Sequence, residues 1–155
     1  MILTFAVFLV VLGATLFTQK YLGGGKLLFF QKTPIATIGG YNFKVAVAAS
    51  QQERETGLSG TISLSQNQGM IFIFEKPDYY HFWMKNMKFP IDIIYINKDQ
   101  IVTIINNAEL IKNQQNPTVY LPSQPSDKVL EIQAGLAKTY KFKNGDKITY
   151  ENPSN

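Results

Sequence analysis

The chain has 155 residues, no Cys, one His, one Trp and a formal net charge of +4 at pH 7 that rests almost wholly on Lys, Arg54 being the sole Arg. That length supports one domain with a core that needs no staples. The lack of thiols excludes disulfides, thiolate catalysis and Cys metal sites, a single His excludes a multi-His centre, and scattered Lys residues without a basic stripe give no reason to expect a nucleic-acid partner.

Residues 2–17, ILTFAVFLVVLGATLF, form an uncharged apolar run. With the residues that follow, it approaches the roughly 20 residues a membrane-spanning helix needs. Residues 1–22 are therefore read as an uncleaved N-terminal membrane anchor, with a cleaved signal segment as the alternative. The n-region carries no Lys or Arg, and no clean cleavage motif follows. Lys20, Lys26 and Lys32 lie just after the run, and the positive-inside rule would keep that side cytoplasmic. An anchor ahead of a globular domain argues instead for export. Residues 23–34, with GGGK at their start, read as a flexible linker.

From residue 35 to residue 152 the pattern is that of strands. IATIGGYNFKVAVA alternates apolar and polar residues about Gly39-Gly40, a hairpin signature. Ser50-Gln51-Gln52-Glu53 fits a capping box and starts a short helix over about 51–56, ended by Gly57. MIFIFE (70–75) is apolar on both faces, as in a strand covered on both sides. DIIYINKDQIVTII turns at 97–100 as a second hairpin, and KVLEIQA (128–134) is a further strand. A short helical turn follows Ala134-Gly135, and TYKFKNGDKITYE reads as a third hairpin across Asn144-Gly145. Residues 107–127, with prolines at 117, 122 and 125, form a long excursion of the kind that often carries function. The expected fold is mainly β: a compact, jelly-roll-like sandwich or barrel with one or two short helices, behind a transmembrane or signal helix.

Functional side chains gather in HFWMKNMKFPIDIIYIN (81–97). Asp92 stands between isoleucines and shares a strand face with Ile94 and Ile96, so it is expected to be buried and to need a partner, either a cation or backbone N–H groups, with a general base or ligand anchor as the functional alternative. Arg54 is the expected partner, because a lone Arg in a Lys-rich chain suggests use of its planar fork. Two readings of Arg54 stand: a clamp from helix to sheet, or capture of an anionic ligand. Trp83 and Lys85 share one strand face and could wall a groove, while Phe82, Met84 and Asn86 take the other. Trp83 as a core ring with Lys85 reaching to water is the plainer alternative. Asn86 is a further candidate, or else a turn former. His81 is read as a surface or strand-edge residue, since no nucleophile motif accompanies it. Met70, Phe72, Phe74 and Phe82 are expected in the core.

Arg54, Gly57-Leu58, Gly69-Met70 with Phe72 and Phe74, Phe82-Trp83-Met84-Lys85-Asn86, Pro90-Ile91-Asp92, Val129-Leu130-Glu131, Ala134-Gly135 and Gly145-Asp146 occur in an order that resembles the family called domain of unknown function 192. The resemblance covers about residues 36–151. It implies a compact, mainly β domain, often behind an export signal or anchor, and it implies no particular activity or catalytic residue. It also favours an extracytoplasmic domain over the orientation that the Lys residues suggest. This chain departs from the family pattern at Ser59, where Met is frequent, and at Thr61, where Arg is frequent. The resulting expectation is a membrane-tethered domain that binds a small polar or anionic molecule, or an envelope component, in a cleft near Arg54, Trp83, Lys85, Asn86 and Asp92. Neither a cofactor nor a metal is expected. The alternatives are a hydrolase or lyase with Asp92 as general base, and a structural or partner-binding module.

Overall fold

A computed structural model of the protein describes residues 33–112 and 115–151. The expected anchor, and all of the linker but its last two residues, lie outside the described residues. Among the described residues no helix is long and apolar enough to cross a membrane.

The first hairpin forms as its sequence dictates. β1 (Ile35–Ile38) and β2 (Tyr41–Ala48) pair antiparallel around Gly39 and Gly40, whose φ values of 56° and 85° suit glycine. Ser50 and Glu53 make both bonds of the capping box at the start of α1 (Gln51–Thr56). The chain then crosses over, and β3 (Gln68–Asp78) runs parallel to β2. Next come the short β4 (Phe82–Trp83), then β5 (Ile91–Asn97) and β6 (Gln100–Ala108), which form the second expected hairpin. Within the excursion, β7 (Val119–Tyr120) pairs with β4 as a separate two-stranded ribbon. β8 (Ser126–Gln133), α2 (Leu136–Thr139) and β9 (Ile148–Glu151) complete the fold.

Seven strands make one sheet in the order β6-β5-β8-β3-β2-β1-β9. Its two outer strands come together: Gln100 bridges Lys147, the Ile148 amide donates to the Asp99 carbonyl at 2.8 Å, and the Ile101 amide donates to the Asp146 carbonyl at 3.0 Å. The jelly-roll expectation is thereby corrected. A jelly roll packs two antiparallel sheets, whereas this single sheet includes a parallel pair and curls until its edges meet. The third hairpin is corrected too. Lys141 takes a positive φ of 59°, the Phe142 amide donates to the Ala137 carbonyl, and the Phe142 ring turns inward, so only residues 148–151 are strand and they pair with β1.

Curling gives the sheet two apolar layers. The inner layer joins Val45, Ile71, Ile94, Leu130 and Ile132 to Ile101 and Ile148 from the edges and to Leu136 of α2. The outer layer joins Met70, Phe72, Ile93, Tyr95 and Val129 to Leu58, Leu64 and Met84 from the connecting segments. MIFIFE is accordingly buried on both faces as far as Phe72, although Ile73 emerges to 38% exposure. Gly69 lets β8 come close, since a Cβ there would lie 2.8 Å from the Glu131 carbonyl oxygen.

Candidate functional site

The outer layer is incompletely covered. Between α1 and the β4–β7 ribbon it opens into a cleft of about 510 Å³, walled by Leu58, Phe72, Phe74, Phe82 and Met87. Arg54, His81, Trp83 and Lys85 line it as well, and Glu131 of β8 reaches it from the sheet. An edge-to-face chain of rings gives the wall its shape: Phe82 lies 4.9 Å from Phe72 and 5.8 Å from Tyr95, centroid to centroid. Phe74 stacks on Tyr80 at 3.5 Å.

Arg54 is set by α1 against the point where β3 parts from β8. Its Nη1 donates to the carbonyls of Ala49 and Ile73, the latter at 3.0 Å, and its guanidinium lies 5.2 Å from the centre of the Phe74 ring. The side chain is a clamp from helix to sheet with one flank on the cleft. Trp83 is 52% exposed, and Lys85 Nζ sits 5.6 Å from the centre of its ring, so the pair forms a cationic, aromatic lip. Phe82 and Met84 turn the other way, toward the sheet, Met84 being fully covered. His81 is exposed at the rim.

Asn86 does not line the cleft. It takes a φ of 55°, and its carbonyl accepts from the Gly60 amide at 3.0 Å, which ties the turn after β4 to the segment after α1. Ser59 Oγ adds a bond to the Lys85 carbonyl at 2.8 Å.

Asp92 is fully buried as expected, but its partner is not Arg54. Its carboxylate accepts three backbone N–H bonds, from Asn107 at 2.8 Å, Gly135 at 3.0 Å and Ala137 at 2.8 Å. The expected cation is replaced by amides because Asp92 points to the inner layer, beside the start of α2, while Arg54 stands on the outer one. The carboxylate thus lies on the far side of the sheet from the cleft, with its oxygens engaged by amides.

The group overlooked in the sequence is Glu131. It is 5% exposed, and its carboxyl has no hydrogen-bond or ion-pair partner among the described residues. Burial pushes its pKa up from 4.5 to about 8. Tyr95 beside it is raised as well, first by its own burial and then by the Glu131 charge, and its hydroxyl donates to the Tyr120 carbonyl at 2.9 Å. The signal was present in KVLEIQA: a lone carboxylate between Leu130 and Ile132, the same pattern that drew attention to Asp92.

A curled, mainly β sheet bearing a half-open aromatic cleft on its outer face defines the class of protein. The sequence pattern of DUF192, uncharacterised ACR, matches residues 34–150, and the chain belongs to that family. A solved protein of unknown function from Novosphingobium aromaticivorans DSM 12444 is 32% identical with a TM-score of 0.68, over 74% of this chain and 83% of that one. A candidate transcription regulator from Sinorhizobium meliloti 1021 is 25% identical with a TM-score of 0.69, over 79% of this chain and 98% of that one. No curated protein matches the chain at a significant level.

Proposed function

We propose that this DUF192 protein is a membrane-tethered, extracytoplasmic module that binds a small anionic molecule with an apolar body in the cleft beside α1. The observation that carries the reading is the cleft itself: about 510 Å³ of space with aromatic walls and with Arg54 and Lys85 at its border. Such a volume suits a small ligand, the apolar walls supply burial, and the few polar groups fix orientation. Lys85 is the primary anion contact, since it is exposed and carries no ion-pair partner among the described residues. Arg54 contributes charge while remaining committed to the Ala49 and Ile73 carbonyls. The tether rests on the apolar run at residues 2–17.

The test is a thermal-shift screen of small aliphatic and aromatic carboxylates on the full chain, wild type beside Lys85→Ala and Trp83→Ala. Binding in the cleft raises the wild-type Tm and leaves both variants nearly unmoved. Equal shifts in all three proteins would place the ligand elsewhere, and no shift with any carboxylate would remove the reading. Protease accessibility of the domain in intact cells tests its side of the membrane.

A further inference from the structure

The cleft has a second recognition point that the proposed anion site does not use. On its border stand the exposed ammonium of Lys85, beside Trp83, and the flank of Arg54, beside Phe74. At the sheet stands Glu131, a residue 5% exposed whose carboxyl opens on the cleft and has no partner among the described residues. Its cross-strand neighbours are Met70 on β3 and Ile93 on β5, which offer it no hydrogen bond. Uncompensated buried carboxyls are rare, because burial strips a polar group of water without supplying a partner. Where one opens onto a cleft, the missing partner is most simply a group of the ligand.

We infer that the molecule bound here is a zwitterion, whose anionic end meets Lys85 at the lip and whose ammonium end is held by Glu131 against the aromatic wall. The inference rests on the cleft reading above and adds the opposite end of the ligand. A carboxylate and aromatic faces are the two surfaces that hold an organic cation well, and Phe72 and Phe82 stand in the same wall as Glu131. A purely cationic ligand would be repelled at the entrance by Lys85 and Arg54; a purely anionic one would leave Glu131 unpaired.

Binding is coupled to protons. In the empty protein burial keeps Glu131 protonated at neutral pH. An arriving ammonium makes the ionised form the stable one, so the carboxyl O–H breaks, its proton passes to solvent, and the charge pair remains. The other titratable groups around the cleft are Tyr95 on β5, Arg54 and Glu55 on α1, and Tyr80, His81 and Lys85 flanking β4. Burial alone accounts for the shift of Glu131, so none of these charges offsets it beforehand.

The test uses calorimetric titration of the full chain with ω-amino carboxylates from 4-aminobutyrate to 8-aminooctanoate, beside unbranched carboxylates of the same lengths without nitrogen. At the best length the amino acid should bind wild type at least tenfold tighter than its nitrogen-free analogue at pH 8. Close to one proton should be released at pH 7, read from the dependence of the heat on buffer ionisation. Glu131→Gln and Glu131→Met, the second guarding against an effect peculiar to the amide, should erase the preference and the proton release while retaining binding of the plain carboxylates. Lys85→Ala should weaken both series alike. Plain carboxylates that bind as tightly as the amino series at every length would overturn the zwitterion and leave the anion cleft standing. An amino preference that survives both Glu131 variants would overturn the assignment of the ammonium end to Glu131. Failure of both series to bind would overturn the cleft reading and this one with it.

Discussion

Two buried carboxyls on one sheet meet opposite fates, and the difference lies in which side each faces. Asp92 faces inward, where three amides satisfy it. Asp92→Asn keeps the shape but turns an N–H₂ toward donors, so at least one bond is lost and one amide orphaned. We expect a loss of about 2–4 kcal/mol in chemical denaturation, the range for bonds to a charged acceptor plus the cost of a stranded donor. A loss below about 0.5 kcal/mol would show that the amides find other partners. Glu131 faces outward and is held protonated. Its folded pKa of about 8 exceeds the reference of 4.5, so between those values the folded state keeps a proton that the unfolded state has given up. Stability attributable to this group therefore falls as pH rises through that window, by up to about 1.4 kcal/mol per unit, and levels off above it. Glu131→Gln should flatten that slope and gain stability over wild type at pH 8 more than at pH 5. Parallel stability profiles for the two proteins would show that the carboxyl is solvated. The sequence marked both residues as charges in oily strands but not their surroundings, because strand alternation assigns a face without saying what covers it. Alternation therefore leaves the choice between Arg54 and backbone amides for Asp92 open, and Glu131 stands out only as a member of the family pattern, without a role.

At the scale of elements, strong local rules were legible and borrowed ones were not. The capping box, the Gly39-Gly40 turn and the β5–β6 hairpin each depend on residues a few positions apart, and all formed. The hairpin across Asn144-Gly145 carried an equally good turn, yet Phe142 had more to gain by turning into the inner layer beside Phe43, their ring centres 6.3 Å apart. Tertiary burial outweighed a local preference there. Close approach of β3 and β8 is the other long-range condition. Gly69 has no side chain because the Glu131 carbonyl would stand 2.8 Å from its Cβ, with Leu130 and Ile132 at 3.2 and 3.3 Å. Gly69→Ala must push those strands apart, and we expect it to cost about 1–3 kcal/mol by the measure of overpacked cores. Because β8 carries Glu131, the same variant should loosen any ligand held there. A folded Gly69→Ala protein with unchanged Tm would mean that the sheet yields freely.

For the molecule as a whole, every described strand and helix lies between Ile35 and Glu151, and the family pattern spans 34–150. Removal of residues 1–22 should accordingly leave a folded, soluble domain with the denaturation midpoint of the full chain; aggregation of that fragment would show that the apolar run is part of the core. The mainly β class was readable from many short strands with turn signals, but one curled sheet and two packed sheets produce the same alternation. Only pairing between the first and last parts of the chain separates them, and such pairing leaves no trace at short range.

The meeting of β6 with the approach to β9 also governs how copies of this protein behave toward one another. Bare strand margins invite another polypeptide to join by backbone bonding, the first step in fibril growth. Here Asp99 and Ile101 spend that capacity on Asp146 and Ile148, and the Ser123 hydroxyl donates to the Val102 carbonyl further along. Along that seam the bonded groups are denied to a crowded neighbour as a template for an added strand.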